Sequence, residues 1–313
     1  ALCDRICVLR DGELAGLVEK ENTNPSQLAE MMVGRPVFFT TEKEPKTPGE
    51  VVLSVKDLHV LDNRHLEKVK GVDLEVRSGE IFGIAGVQGN GQTELVEALT
   101  GLRKPKSGRI LVGDIDLTGK NARYVRESGV SHIPEDRHKR GIILPFKITE
   151  NIALGSHYKK PYAKSLWFLQ GGSYIIALDA IRKSTEGLVN DYSIRLSSVD
   201  ALASTLSGGN QQKVVVAREL AANPILVIAA QPTRGLDVGA TEYIHEVLIG
   251  LRDAGVAVLL VSAELDEIRN LADRIGVIYD GQIVAIKAPG EATPTELGLL
   301  MAGHSDDSVP EEV

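Results

Sequence analysis

Cysteine and long apolar runs are both scarce in this sequence. It contains two cysteines, Cys3 and Cys7, in 313 residues. With no second pair to complete a metal site, they fit a reducing compartment. The longest apolar runs, such as residues 256–263, stop near eight residues, whereas a membrane-spanning helix needs about twenty. The sequence therefore predicts neither a cysteine-based metal site nor a bilayer span.

Basic residues are fewer than acidic residues in this sequence. The chain has 35 lysines and arginines against 43 aspartates and glutamates, which gives a net charge of −8. Proteins that bind the nucleic-acid backbone normally present a basic face, so we expect no nucleic-acid partner. The proportions of apolar and charged residues, 43% and 25%, are ordinary for a globular protein with a large core or two domains.

The two ends of the chain contain a repeat. Residues 1–34 align without gaps on residues 270–303, and each segment has an Asp-Gly turn between two apolar runs. A proline begins a predicted helix after each turn. Chance similarity of two hairpins is the alternative. The residues of the first segment that recur are Leu2, Asp4, Arg5, Ile6, Val8, Asp11, Gly12, Pro25, Leu28, Met32 and Gly34.

This repeat suggests how the chain is divided into domains. We interpret residues 1–38 as the C-terminal end of one domain and residues 51–303 as nearly all of a second copy of it. Residues 39–50 are polar and contain two prolines, as in a linker. Residues 304–313 form an acidic tail. Since the chain also lacks an initial methionine, we expect it to be part of a longer protein.

Periodicity within the second copy predicts an α/β fold. A strand at Ile81–Ala85, a glycine-rich turn and a helix over residues 93–102 follow the order of a phosphate-binding unit. Two alternating strands precede this unit, and βα units follow a mainly helical insertion. The remaining predictions are strands at 51–60, 69–76, 225–230 and 257–262, helices at 174–188, 210–222 and 241–254, and a helical subdomain at about 142–205.

The glycine-rich turn predicts a phosphate-binding loop. Residues 86–93 (GVQGNGQT) fit G-x-x-x-x-G-K-[ST] except that Gln92 replaces the lysine. Glycines allow backbone N–H groups to converge on phosphate, but a neutral amide cannot make the lysine's contacts, worth about 1.5–3 kcal/mol each. A purely structural turn is the alternative. The predicted nucleotide-binding residues here are Gly86, Gly89, Asn90, Gly91, Gln92 and Thr93.

A second motif, LSGGN at residues 206–210, begins a predicted helix. With the phosphate loop, it makes the chain resemble the ATP-binding-cassette (ABC) family. The resemblance implies a P-loop NTPase fold of ABC type with an antiparallel β subdomain and a helical subdomain. It also implies that this signature loop acts in trans, on the γ-phosphate held by another ATPase domain of a head-to-tail pair. The signature-loop residues are Ser207, Gly208, Gly209 and Asn210.

Several positions depart from the family's catalytic pattern. Ala230 stands where the family has the aspartate that orients Mg²⁺, and Gln231 stands where it has the glutamate that polarises water. Ala263 replaces the switch histidine. Together with Gln92, these departures imply that the chain's own catalytic site is degenerate and hydrolyses little ATP.

Further positions of the nucleotide site either depart from the family's pattern or match it. Glu135 corresponds to the glutamine of the family's γ-phosphate loop, and no aromatic residue near residues 59–62 matches the one that stacks on adenine. Thr93 keeps a hydroxyl that faces the metal in the family, and Asp237 keeps the interdomain turn. The resemblance therefore implies ATP as the ligand, with weak Mg²⁺ binding or none.

Three strings, PEDR at residues 134–137, LSGGNQQK and PTRGLDVG, are similar to those of the simple-sugar and nucleoside importers. This group has tandem ATPase domains with a degenerate second copy. The resemblance implies three partners, namely a first ATPase domain, transmembrane permease subunits and, indirectly, an extracytoplasmic substrate-binding protein. It also implies a peripheral location on the cytoplasmic face of the membrane. The string IAAQPTRGLD favours nucleosides over sugars.

The sequence also allows a different function and contains two further local features. A soluble tandem ABC ATPase that acts on ribosomes or DNA is the alternative to transport, and the acidic charge argues against it. Residues 166–169 (LWFL) could form either a permease contact or a local core. Residues 132–140 are basic and contain two histidines without metal-ligand spacing, which predicts a solvated loop.

Overall fold

The computed structural model describes residues 3–10, 12–34, 43–165 and 174–304. Its strands are β1 (Arg5–Arg10), β2 (Glu13–Glu19), β3 (Val51–Leu61), β4 (Glu67–Arg77), β5 (Ile81–Ala85), β6 (Ser107–Val112), β7 (Ile115–Asp116), β8 (Val130–Ile133), β9 (Ala163–Ser165), β10 (Tyr174–Ile176), β11 (Leu226–Ala230), β12 (Ala257–Ser262), β13 (Arg274–Tyr279) and β14 (Gln282–Lys287). Its α-helices are α1 (Pro25–Val33), α2 (Gln92–Leu99), α3 (Ala122–Glu127), α4 (Ile148–Ala153), α5 (Leu178–Asp191), α6 (Gly208–Leu220), α7 (Val238–Asp253), α8 (Leu265–Leu271) and α9 (Pro294–Met301). None of these helices combines the length and apolar character that a bilayer-spanning helix needs.

The central sheet has the strand order β14-β13-β5-β12-β11-β8 and is parallel except for β14. β5, β11 and β12 are continuous apolar runs whose residues are all buried, as expected for parallel strands covered on both faces. The carboxyl ends of β5 and β11 lie on the same edge of the sheet, separated by β12. Ligands of open α/β sheets bind at this edge.

An antiparallel sheet of order β4-β3-β6-β7 forms a separate layer. Its buried side chains, among them Leu58 and Val72, pack in one core with Phe82 of β5 and Leu95 of α2. A second core on the other face of the central sheet includes Ile244 of α7. The phosphate-loop helix α2 is thus fixed between two sheets. The predicted ABC-type cassette, with its antiparallel β subdomain, is confirmed.

The predicted helical subdomain is helical only in part. Within residues 142–205, α4 and α5 pack against α6, but β9 and β10 form a short antiparallel strand pair. The helix predicted over 174–188 was wrong at its start, because Ile175 and Ile176 pair with Lys164 and Ala163, and the helix begins at Leu178. The 166–169 patch lies outside the described residues.

The repeated segments have the same local structure. In each, an antiparallel hairpin is followed by a helix that begins with proline and a capping box, from Asn24 in α1 and Thr293 in α9. Both hairpins have a register shift at the equivalent position, between residues 8 and 9 and between 277 and 278. Their burial differs: Leu9 is 63% exposed, whereas its counterpart Ile278 is completely buried.

The described part of the predicted linker lies along the second copy. Lys43 donates through Nζ to the Leu271 carbonyl and to the Asp273 carboxylate, each at 2.9 Å. The Glu44 carbonyl oxygen accepts from Arg252 at 2.7 Å. Residues 43–46 are therefore attached to the domain that follows them.

Candidate nucleotide site

The phosphate loop connects β5 to α2 and depends on glycine at two points. Gly91 has φ +101°, and a Cβ there would overlap the Lys68 carbonyl oxygen. Gly89 also has a positive φ, of +99°, a conformation that other residues rarely adopt. Asn90 accepts from the backbone N–H groups of Asp280, through Oδ1 at 3.2 Å, and of Gly281, through its carbonyl at 3.0 Å. The turn between β13 and β14 thus fixes the loop in place.

Gln92, at the lysine position, faces the loop's own backbone. Its Nε2 donates to the Val87 carbonyl at 3.0 Å, and its Oε1 is enclosed without a hydrogen-bond partner. An amide in this position adds no positive charge to the loop. Any phosphate held by the loop itself would therefore be bound by backbone N–H groups without the contribution of a lysine.

A cavity of about 540 Å³ opens beside the phosphate loop. It brings together Gln92 and Thr93 from α2, Glu135 from the segment after β8, and Ala230 and Gln231 from the end of β11. These predicted residues are therefore neighbours, whereas Ala263, exposed after β12, does not line this cavity. Lining residues that the sequence interpretation did not assign include Gln88, Glu97, Arg137, Lys139, Arg140 and Arg234.

Glu135 joins the two sides of this cavity. Its Oε1 accepts from Arg234 Nη1 at 2.9 Å and from Gln88 Nε2 at 3.2 Å, and its Oε2 accepts from Thr93 Oγ1 at 3.3 Å. Arg234 follows β11, whereas Gln88 and Thr93 belong to the phosphate loop and α2. The carboxylate therefore connects the ends of two strands that are not adjacent in the sheet.

The cavity offers few protein ligands to a Mg²⁺ ion. Thr93 and Glu135 supply two oxygen atoms, but the carboxylate is also paired with Arg234. Ala230, only 5% exposed at the end of β11, adds no ligand. Within the described residues no three His, Cys, Asp or Glu side chains are placed to hold a metal. Mg²⁺ is usually bound through one or two carboxylates together with phosphate and water, so Glu135 and Thr93 are the protein groups that would face such an ion.

The signature loop lies outside this cavity. Ser207 caps α6, and its Oγ accepts from Asn210 Nδ2 at 2.9 Å. A Cβ on Gly209 would lie 2.9 Å from that of Ala240, so glycine permits the close approach of α6 to α7. Asp237 caps α7 by accepting from the Ala240 N–H at 2.8 Å. Residues 207–210 are thus held at the start of α6 and do not line the cavity beside the phosphate loop.

The prediction of a solvated loop over residues 132–140 was wrong. His132 belongs to β8, and Asp136 caps a π-helical turn at Arg137–Gly141. Arg137 donates to the Arg234 carbonyl at 3.1 Å, and its Nη2 lies beside Gly208. Because these contacts join distant parts of the chain, charge alone did not reveal them.

His132 is enclosed on the sheet side of the cavity. It is partly buried, and its Nε2 has no hydrogen-bond partner. Burial lowers the pKa of His132 to about 4; Glu219 opposes the shift, while Arg140 and Arg218 add to it. The imidazole is therefore neutral near neutral pH.

His132 is expected to make the folded state sensitive to mild acid. Its pKa is about 4 when folded and about 6.5 when unfolded, so between these values the unfolded state binds the proton. Stability should fall by about 2 kcal/mol from pH 7 to pH 5 through this group. Urea unfolding of the protein and of His132→Gln at both pH values measures the effect. An equal loss in both proteins would contradict the assignment.

The comparisons with known proteins agree with this geometry. The ABC transporter family matches residues 69–234. Over 97% of this chain, identity is 50% with the guanosine import ATP-binding protein NupO of Bacillus subtilis and 49% with the nucleoside import ATP-binding protein NupA of Lactococcus lactis. The glucose import ATP-binding protein TsgD13 of Haloferax volcanii is 41% identical over 98% of the chain.

The chain spans little more than half the length of these relatives, 58% of the first two and 54% of the third. Among solved structures, a nucleotide-free ATP-binding cassette from an ABC transporter is similar with a TM-score of 0.62. That similarity covers 76% of this chain and 92% of the other at 22% identity. The phosphate loop, the signature helix and the match over residues 69–234 show that the chain belongs to the ABC transporter family.

Proposed function

We propose that this chain is part of the ATP-binding component of a nucleoside importer, located at the cytoplasmic face of the membrane. Within that component it forms the C-terminal ATPase domain, with a degenerate site of its own and a signature loop that completes the site of a first domain. Transmembrane permease subunits and an extracytoplasmic substrate-binding protein are the further partners. The observation that carries the proposal is a phosphate loop with Gln92 in place of its lysine and a neighbouring strand end with Ala230 and Gln231 in place of acids, in a chain whose signature loop is unaltered.

The cavity is better equipped to bind nucleotide than to hydrolyse it. The positions of Gln92, Ala230 and Gln231 provide no cation, metal-binding acid or base at the cavity. Loss of one transition-state contact typically costs about 10²–10³-fold in rate. We therefore propose weak ATP binding that depends little on Mg²⁺, and negligible hydrolysis at this site.

The exposed hairpin supports a preceding domain. Leu9, Leu14 and Leu17 lie in β1 and β2, the segment that aligns with β13–β14, and are 58–63% exposed. Within the described residues β1 pairs only with β2, whereas β13 also pairs with β5. Apolar side chains and an open strand edge are what a missing sheet would cover. The proposal assigns that sheet to the first ATPase domain.

The relatives favour nucleosides as the imported class. The two relatives described as guanosine and nucleoside import proteins share 49–50% identity with the chain, against 41% for the glucose import protein. The alternative, action on ribosomes or DNA, finds no support in the net charge of −8.

Uptake measurements test the proposed substrate class. We expect that deleting the gene for this protein abolishes uptake of labelled guanosine by the native host and leaves ribose and glucose uptake unchanged, because the ATPase powers one permease. Complementation with the complete gene should restore guanosine uptake. Loss of sugar uptake with normal nucleoside uptake would assign the protein to sugar import instead.

A further inference from the structure

Three donors from opposite sides of the cavity converge on the Glu135 carboxylate. Arg234 Nη1 lies 2.9 Å and Gln88 Nε2 3.2 Å from Oε1, and Thr93 Oγ1 lies 3.3 Å from Oε2. The Glu135 side chain is 26% exposed, so it is largely withdrawn from solvent. The anionic group that these donors contact is thus a side chain of the protein itself, the Glu135 carboxylate.

The same donors suit a phosphate group. Phosphate and carboxylate both present anionic oxygens, and arginine binds either through paired N–H groups. Of the three donors only Arg234 is charged, and Gln92 supplies no charge from the phosphate loop. Thr93 directly follows that loop. A phosphate that extends beyond the loop into the cavity would therefore meet Thr93 and Arg234.

We propose that Arg234 is the phosphate-binding cation of this cavity, and that Glu135 occupies its guanidinium until the terminal phosphate of ATP displaces the carboxylate. This inference rests on the proposed binding of nucleotide by the phosphate loop. ADP lacks the terminal phosphate and leaves the Glu135–Arg234 pair intact. Arg234 therefore determines the preference for ATP over ADP at a site that lacks the usual lysine.

Calorimetric titration of the chain with ATP and with ADP, in magnesium-free buffer, tests the assignment. Arg234→Gln is expected to weaken ATP binding about tenfold or more, the effect of losing a charge-assisted hydrogen bond. ADP binding should change far less. Glu135→Gln should strengthen ATP binding, because it removes both the internal competitor and a negative charge. Thermal melting of each variant checks that it is folded.

The double variant Arg234→Gln with Glu135→Gln distinguishes phosphate binding by Arg234 from mere neutralisation of Glu135. If Arg234 binds phosphate, Arg234→Gln should still weaken ATP binding about tenfold in the Glu135→Gln background. If Arg234 merely neutralises Glu135, adding Arg234→Gln to the Glu135→Gln protein should leave its ATP affinity unchanged. Lys139→Gln is the matched control, because it removes a cation from the same cavity but no donor to the carboxylate. Its loss of ATP affinity should be several-fold smaller.

Two results would overturn the proposal. One is unchanged ATP affinity when Arg234→Gln is added to Glu135→Gln, and the other is an equal loss of ATP and ADP affinity in Arg234→Gln. Failure of every variant to bind either nucleotide would also overturn it, but would leave the import role, which the uptake measurement tests, unaffected.

Discussion

Replacing Ser207 with arginine is expected to lower transport-coupled ATP turnover of the complete importer about 10²–10³-fold, the cost typical of losing a transition-state contact. Ser207 is exposed at the start of α6 and lies outside the chain's own cavity. Helix-start N–H groups and a serine hydroxyl suit an anion. In the proposed pair that anion is the γ-phosphate on the first domain, and an arginine side chain would fill the space it needs.

The effect is measured as phosphate release and guanosine uptake by the complete protein with its permease. Ser207→Ala removes the hydroxyl and with it the helix cap, worth about 1 kcal/mol, without filling the pocket, so it should lower turnover less than Ser207→Arg. Ser197→Arg adds the same side chain at another exposed serine. Gln92→Lys should restore little activity, because Ala230, Gln231 and Ala263 are unchanged. Full turnover by Ser207→Arg would refute the in-trans role of this loop.

Elements with continuous apolar runs could be predicted from the sequence. β5 and β12 have the predicted bounds, and each is a short run whose residues are all buried. Helix ends were less accurate. The helix predicted to reach residue 102 ends at Leu99. The next residue, Thr100, donates through Oγ1 to the Val96 carbonyl at 2.7 Å. Gly101, with φ +72°, then turns the chain away.

Local signals also explain one helix start that was missed. The helix predicted from residue 241 begins at Val238, because Asp237 caps it. The β10 strand could not be recognised from periodicity, since its partner β9 lies across residues 166–173 and a three-residue strand has no measurable period.

The sequence predicted which residues form the candidate site, but it did not predict which of their side chains contact each other. The substitution at Gln92 follows directly from comparing residues 86–93 with the phosphate-loop motif. The contact between Arg234 and Glu135 joins residues 99 positions apart, so it depends on the order of β8, β11 and β5 in the sheet. Arg234 was visible inside the string PTRGLD, yet no local rule assigned it a partner.

A buried group of charges connects α6 to the end of α3 and to Gly141. Glu219 of α6 is 4% exposed and accepts from Arg218 Nε at 2.8 Å and from Arg126 at the end of α3. Arg218 also donates to the Gly141 carbonyl at 2.7 Å. Burial raises the pKa of Glu219, but Arg218 and Arg126 outweigh it and hold that pKa below its ordinary value. The carboxylate is therefore ionised and compensates two arginines.

Glu219→Gln is expected to destabilise the protein by about 3–5 kcal/mol, since removing one partner of a buried ion pair leaves uncompensated charge. The amide has nearly the same shape, so lost packing contributes little. Urea unfolding measures the difference. Glu127→Gln is the matched control, because it removes a carboxylate paired with Arg123 on the exposed face of α3, and it should leave the unfolding midpoint unchanged. Equal midpoints for the two variants would show that solvent reaches the Glu219 group and screens its charges.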